Sequence, residues 1–416
     1  MGALSTDDAV LIEKGKKPGD PHVITVNCPD RTGLACDICR IILDFGLVIR
    51  KADVSTDGKW CYLLFWAAPH SGTFVRWPNL KDRLLLACPS SCSVAFYLNE
   101  PPPPQSDSPV FLLKLFCLDR KGLLHDVTEV LCELDLTIQR VKVTKTPDDR
   151  VLDLFFVTDN TDLLHTKKRQ DEICEQLLTL MEACTCEIQL AAPRYQCTRN
   201  TCTLLPDVSD ALLQVEMTEK EVHLEALSSD MTKLRSSNIA VDNSFSPAHN
   251  LLQIHCVDHK GLLYDIMRTL KDCEIQIAYG RFSPNVNGYR DLDLFIQRKD
   301  GRKIADQESQ RRLCSRLKAE MLHPLRVTVV DRGPDAELLV ANPVELSGRG
   351  RPRVFYDVTF ALKTLGICIF SAEIGRYSTS DLEWEVYRFL MEESWKLQKS
   401  NKSIIIDTVR RTLMGW

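Results

Sequence analysis

The chain has 416 residues, of which 44% are hydrophobic and 26% charged, and a formal net charge of −5. That balance is ordinary for a globular protein of two to four domains, and it offers no basic field for nucleic acid or anionic membrane. No stretch approaches about 18 consecutive apolar residues, so no transmembrane helix is expected.

The first 20 residues, MGALSTDDAVLIEKGKKPGD, read as a tail without the basic and apolar regions of a secretory signal. Reduced, intracellular thiols are therefore expected from the 17 cysteines, rather than a disulfide framework. Gly2 and Thr6 fit the loose N-myristoylation pattern, but Asp7 and Asp8 would repel anionic lipid and a single chain anchors weakly. The expected location is the cytoplasm, with the nucleus open and no stable membrane association.

From residue 21 onward one pattern recurs. Residues 28–37 read CPDRTGLACD, residues 117–126 CLDRKGLLHD and residues 256–265 CVDHKGLLYD. Each follows a short apolar strand: VITVNC, LLKLFC or LLQIHC. Each opens a helix with apolar residues at three-and-four spacing, such as Leu34, Ile38, Ile41 and Ile42. A second strand begins 14 residues past each Gly, at Leu47, Leu136 and Ile275. A third strand, a second helix and a last strand such as PLRVTVV follow. The fold class is α+β: tandem ferredoxin-like βαββαβ units with antiparallel sheets and helices on one face.

In chain order the expected domains are 21–99, 110–193, 250–333 and a degenerate fourth at 336–416. In the fourth, Arg353 takes the Gly position and no last strand is legible. NEPPPPQSDSP, residues 99–109, is a stiff Pro-rich spacer. Residues 194–249 form a linker in which ALLQVEM suggests a strand, and Leu224, Leu227, Met231 and Leu234 have helical spacing. Linker lengths predict that copy one pairs with two and copy three with four.

Three Asp-x-x-Gly-Leu turns in register, within tandem βαββαβ units covering about 20–416, resemble the ACT domain. Four copies with no attached catalytic domain look like the plant ACT-domain repeat proteins. That resemblance implies binding of an amino acid or similar metabolite at the interface of paired domains. It also implies a regulatory role in amino-acid or nitrogen metabolism. With no enzyme in cis, such a sensor would act in trans on a protein partner, and self-association through the sheets is open. The alternative is an interaction scaffold whose repeats have lost their ligand.

Elementary chemistry supports the expected site. Glycine permits a tight turn and close backbone approach, and the helix that follows offers unpaired N–H groups to a carboxylate. The Asp can hold an ammonium or brace the turn. The candidate ligand-binding residues are Asp30, Gly33 and Leu34; Asp119, Gly122 and Leu123; and Asp258, Gly261 and Leu262. For a ligand of about ten heavy atoms at about 0.5–0.8 kcal/mol each, Kd would lie between roughly 1 and 200 μM. The competing structural reading is that Asp and Gly merely shape and cap the turn.

Other signals are weak. Asp37, Asp126, Asp265 and Asp357 suit the positive end of a helix. Cys36 and Cys39 resemble a redox or zinc pair, yet no second pair stands at zinc spacing. Cys28, Cys117 and Cys256 read as core packing. CTCEIQL and CTRNTC, near 184–202, are the remaining thiol clusters. Arg349, Arg351 and Arg353 read as a solvated basic loop. His125 at its helix start suggests a ligand contact or cap. No P-loop, Gly-x-Ser-x-Gly or dinucleotide fingerprint occurs. No catalytic residue, metal site or cofactor is expected. An RNA-binding βαββαβ module would need aromatic and basic sheet residues, where the third strands carry Asp153, Asp293 and Glu385.

Overall fold

The computed structural model describes residues 9–17, 19–70, 74–89, 109–161, 163–181, 184–192, 204, 206–213, 236–285, 288–333, 335–345, 348–379, 382–391 and 399–416. Gly2, the Pro-rich spacer, CTRNTC and the helical spacing at 224–234 lie outside the described residues, as does ALLQVEM beyond Leu213. The chain forms two compact units: residues 1–103 with 217–324, and residues 104–216 with 325–416.

In the first unit, copy one supplies strands β1 (Val10–Glu13), β2 (His22–Pro29), β3 (Leu47–Thr56) and β4 (Trp60–Pro69), with helices α1 (Leu34–Asp44) and α2 (Trp77–Ala87). In the second unit, copy two supplies β5 (Phe111–Leu118), α3 (Leu123–Glu133), β6 (Leu136–Lys145), β7 (Arg150–Asp159), α4 (Lys167–Thr179) and β8 (Thr185–Leu190), followed by a short helix α5 (Pro206–Leu213). Copy three returns to the first unit with β9 (Asn238–Asp242), β10 (Asn250–Val257), α6 (Leu262–Asp272), β11 (Ile275–Pro284), β12 (Tyr289–Arg298) and α7 (Gln307–Leu322). Copy four completes the second with β13 (Arg326–Arg332), β14 (Asp335–Pro343), α8 (Val354–Thr364), β15 (Ile369–Ser378), β16 (Glu383–Met391) and α9 (Lys399–Met414).

Sequence periodicity explains these elements. In β4, Cys61, Leu63, Phe65 and Ala67 point into the core, two residues apart. In α1, Leu34, Ile38, Ile41 and Ile42 line the facing stripe and are buried. Fully burying each such aliphatic side chain is worth about 1.5–3 kcal/mol before entropy is counted.

The sheets run β1-β2-β4-β3-β11-β12-β10-β9 and β13-β14-β16-β15-β6-β7-β5-β8, antiparallel throughout. Copy one therefore pairs with copy three, and copy two with copy four. This overturns the pairing inferred from linker lengths. The join in the first unit sets Tyr279–Phe282 against Ala52–Ser55; in the second it sets Ser371–Glu373 against Lys142–Thr144.

Among the described residues only copy two follows the βαββαβ order to its end, with β8 closing beside β5. In the other three copies the strand in that edge place comes first in the chain: β1, β9 and β13 each lie antiparallel to the strand that follows them. PLRVTVV, read as the last strand of copy three, is thus the edge strand of copy four. An edge strand antiparallel to its neighbour can be fed by a direct hairpin as well as by the returning second helix. The second unit also carries a helix on the other sheet face. There α5 packs with Leu212 against Leu339, Ala341, Trp384 and Val386.

Candidate ligand-binding clefts

The four strand-to-helix turns share one geometry. Gly33, Gly122 and Gly261 stand before their helices with φ of 81°, 79° and 79° and ψ near zero. This left-handed conformation favours glycine. Arg353 adopts it in copy four at φ 63°, with its guanidinium 4.3 Å from the Tyr356 ring centre. Gly33, Gly122, Gly261 and Arg353 lend no side-chain cap to α1, α3, α6 and α8. The N–H groups of Leu34, Leu123 and Leu262 donate back to the carbonyls of Arg31, Arg120 and His259, and the N–H groups that follow in the first turn lack an intrahelical acceptor.

The motif's aspartates act as braces. The N–H groups of Asp30, Asp119 and Asp258 donate to the carbonyls of Lys59, Asp149 and Gly288, in the hairpins between the second and third strands. Their carboxylates are engaged too. Thr56 Oγ1 donates to Asp30 at 2.5 Å, Lys145 pairs with Asp119 at 3.2 Å and Arg290 with Asp258 at 2.5 Å. Leu34, Leu123 and Leu262 are buried and anchor each turn to the core.

A lysine that sequence reading passed over reaches each of two turns from the paired copy. Lys271 in α6 pairs with Asp37 at 3.2 Å, and its Cε lies 2.7 Å from where a Cβ on Gly33 would stand. Lys363 in α8 pairs with Asp126 at 2.6 Å, and its Cγ lies 2.8 Å from the equivalent point on Gly122. Arg31 and Arg120 complete the two clusters. Burial raises the Asp126 carboxyl, but Lys363 and Arg120 outweigh it and hold it below the usual carboxylate range. Both lysines fall ten residues past their own copy's turn residue, Gly261 or Arg353. Only pairing in space gives that spacing meaning.

A cleft lies where the two copies of each unit meet. In the first unit a small, solvent-open cleft is bordered by the Asp258, Gly261 and Leu262 turn, Tyr264 and Phe282, and by Cys39, Leu43 and Leu47 of copy one. In the second unit a similar cleft is bordered by the Asp119, Gly122 and Leu123 turn, His125 and Asp153, and by Thr359, Lys363 and Ile367 of copy four. Apolar groups make up most of both linings, and the second holds more charged side chains. The structure thus brings two of the three candidate triplets to clefts, while the Gly33 turn carries Lys271.

His125, 2% exposed, faces the hydroxyl of Thr359 at 3.3 Å and packs on Tyr356 and Phe360. Burial lowers its proton affinity, so the ring is neutral at pH 7. Asp153 is 1% exposed, and its Oδ1 has no hydrogen-bond partner among the described residues. Burial, then the nearby Asp119, raises its carboxyl to about 7. Sequence reading used Asp153 only as an argument against RNA. Yet Val151, Asp153 and Phe155 alternate on one face, which already placed that carboxyl inward.

The cysteines behave as core groups. Cys28, Cys36, Cys39, Cys117 and Cys256 are buried thiols outside any disulfide, and burial raises those of Cys117 and Cys256 to about 12. Among the described residues no cluster of three or more His, Cys, Asp or Glu suits a metal, and no helix is long and apolar enough to cross a membrane. Arg351 departs from the solvated-loop expectation. It is 4% exposed, and its guanidinium donates to the Leu413 carbonyl at 3.0 Å, near the end of α9. A cation there satisfies a helix-terminal acceptor.

Family models match all four copies. The model described as "ACR9-like, ACT-like domain" covers residues 105–191 and 238–335. "ACT domain-containing protein ACR9, C-terminal" covers 336–415, and "ACT domain-containing protein ACR10, N-terminal" covers 12–89. ACT domain-containing protein ACR9 of Arabidopsis thaliana is 56% identical over the full length of both chains. ACR10 of the same plant is 50% identical, again over both full lengths. ACR8 is 23% identical over 77% of this chain and 69% of its own.

Proposed function

The chain belongs to the ACT domain-containing protein family, and from that premise we propose that it is a non-enzymatic amino-acid sensor acting in trans on a protein partner. The relatives carry no enzyme name. The observation that carries this reading is the cleft at the Gly122 turn. The start of α3, preceded by Gly122, faces the paired copy across that cleft, and Lys363 from that copy crosses to Asp126. A ligand carboxylate at the first turn of α3 competes with Asp126 for Lys363. Binding therefore changes the contact between copies two and four, and a ligand that favours one arrangement shifts the population. Amino-acid or nitrogen metabolism is the setting in which such an output has value, and the cytoplasm is the expected place.

The scaffold alternative is supported by the lysine bridges themselves. Lys271 covers Gly33 and pairs with Asp37, and Lys363 likewise covers Gly122 and pairs with Asp126, contacts that hold the copies together without a ligand. A thermal-shift screen of the twenty amino acids against the full chain, followed by calorimetry, separates the two. A saturable shift with Kd between roughly 1 and 200 μM supports the sensor. Silence at millimolar concentration favours the scaffold.

A further inference from the structure

We propose that Asp153 recognises the ammonium of the bound amino acid, so that the cleft between copies two and four takes α-amino acids and rejects their 2-hydroxy counterparts, which carry a neutral hydroxyl in place of the ammonium. This rests on the sensor reading above and deepens it.

The argument begins with what the turn cannot do. The expected ammonium holder, Asp119, is committed to Lys145 at 3.2 Å. Asp126 is committed to Lys363 and Arg120. Seating a zwitterion requires an anion not already neutralised, placed in the same cleft as the start of α3. Asp153 meets that requirement. It lines the cleft from β7, is almost fully buried and leaves Oδ1 without a partner.

Comparison within the chain sharpens the assignment. Asp153 stands opposite Leu115 on one side and Val143 on the other. The same station in copy one, opposite Val26 and Val54, is Leu63; in copy three, opposite Ile254 and Phe282, it is Leu292. Leucine packs this place in copies one and three and Tyr387 in copy four, and a buried aspartate there costs stability unless a ligand repays it. The facing titratable and charged groups are Asp119 with Lys145, Arg120, Lys121, Cys117, Cys184, His125 and Lys363. Lys145, Lys363 and Arg120 are held by other carboxylates. A carboxyl raised to about 7 ionises readily when an ammonium arrives. In the first unit's cleft the matching station is Leu292, so that cleft lacks this counter-charge.

The test is calorimetry on the full chain with each of the twenty amino acids in turn. For each that binds, the 2-hydroxy acid bearing the same side chain follows, on wild type, Asp153→Asn and Asp153→Leu. The expected result is one site per chain. The 2-hydroxy acid should bind roughly 10- to 150-fold more weakly than the amino acid on wild type, the range of a charge-assisted hydrogen bond. That preference should collapse in both variants. Asn keeps the shape and Leu reproduces copies one and three, so folding is secured by one or the other. Amino-acid binding with an undiminished preference in Asp153→Asn overturns this assignment and leaves the sensor reading intact. Absence of binding by all twenty amino acids overturns both.

Discussion

Replacing Asp153 by Asn should make the second unit more stable at pH 8 and less so, relative to wild type, in acid. A carboxyl that keeps its proton to about 7 in the fold is ionised in the open chain above about 4. Below pH 4 both states hold the proton and nothing is lost. As pH rises from 4 to 7 the unfolded chain releases the proton first, so folding stability falls, and above 7 the loss is complete. At about 1.4 kcal/mol per tenfold change in proton affinity, the full cost at pH 8 is about 4 kcal/mol. Asn removes that cost but buries an amide with few partners, which returns about 1–3 kcal/mol. A net gain of about 1–3 kcal/mol at pH 8 corresponds to a Tm rise of roughly 3–10 °C for a unit of about 200 residues. Calorimetric melts of both proteins at pH 5 and pH 8 measure it. A variant that melts lower than wild type at pH 8, or keeps the wild-type drop between the two pH values, refutes the reasoning. Adding a bound amino acid should reverse the order, because an ammonium stabilises the wild-type carboxylate and finds no charge in the variant.

The remaining predictions concern other links. Gly122→Val places a β-branched residue at φ 79° with its Cβ against Lys363, and should cost about 1–3 kcal/mol and abolish amino-acid binding. Chemical denaturation and calorimetry check both, and unchanged affinity in the folded variant removes that turn from the site. Glu320→Gln removes one of two carboxylates from buried Arg268, the 2.5 Å partner, leaving Asp272 at 3.6 Å, and should destabilise by about 1.5–3 kcal/mol. A urea midpoint unchanged from wild type contradicts it. Cys174 in α4 and Cys186 in β8 have their sulfurs 2.9 Å apart, so a mild oxidant should close a disulfide. Mass spectrometry should show the linked peptide in wild type and lose it in Cys186→Ser.

Much of the fold was legible because it is local. Period-two strands, period-3.6 helices and the 14-residue offset at Leu47, Leu136 and Ile275 define each copy from its own residues. The turn was legible for the same reason, since Gly33, Gly122 and Gly261 set a left-handed corner that sequence spacing alone announces. Arg353 in the Gly place shows the register persisting after the residue that made it easy has gone. What escaped was non-local. Lys271 and Lys363 look like ordinary last-turn residues until α6 packs on α1 and α8 on α3. Asp153 was visible as an inward residue but not as unpartnered, because its neighbours come from β5, β6 and the opposite copy.

The pairing of copies carries the same lesson in energetic form. Linker length argued for neighbours in sequence, yet the entropy of closing a longer loop rises only by about 0.6 kcal/mol per doubling. Against that stand a continuous ladder between β3 and β11 or β15 and β6, and the packing of two first helices. The Lys271–Asp37 and Lys363–Asp126 bridges add direction. Copies one and two have Leu43 and Cys132 where copies three and four have those lysines. Pairing one with two would set Asp37 and Asp126 against an apolar side chain and a thiol, leaving both carboxylates without their cross-copy cation. Pairing three with four would set two lysines at the junction, facing Asp265 and Asp357. The observed arrangement gives each unit one lysine-bearing copy and one without. Each unit therefore holds two unlike corners: one bridged by lysine at Gly33 or Gly122, and one whose facing residue, Leu43 or Cys132, carries no charge. The two clefts take unlike corners, the first unit's at Gly261 facing Leu43 and the second's at Gly122 beside Lys363, and under the proposal above Asp153 suits the second to a charged metabolite.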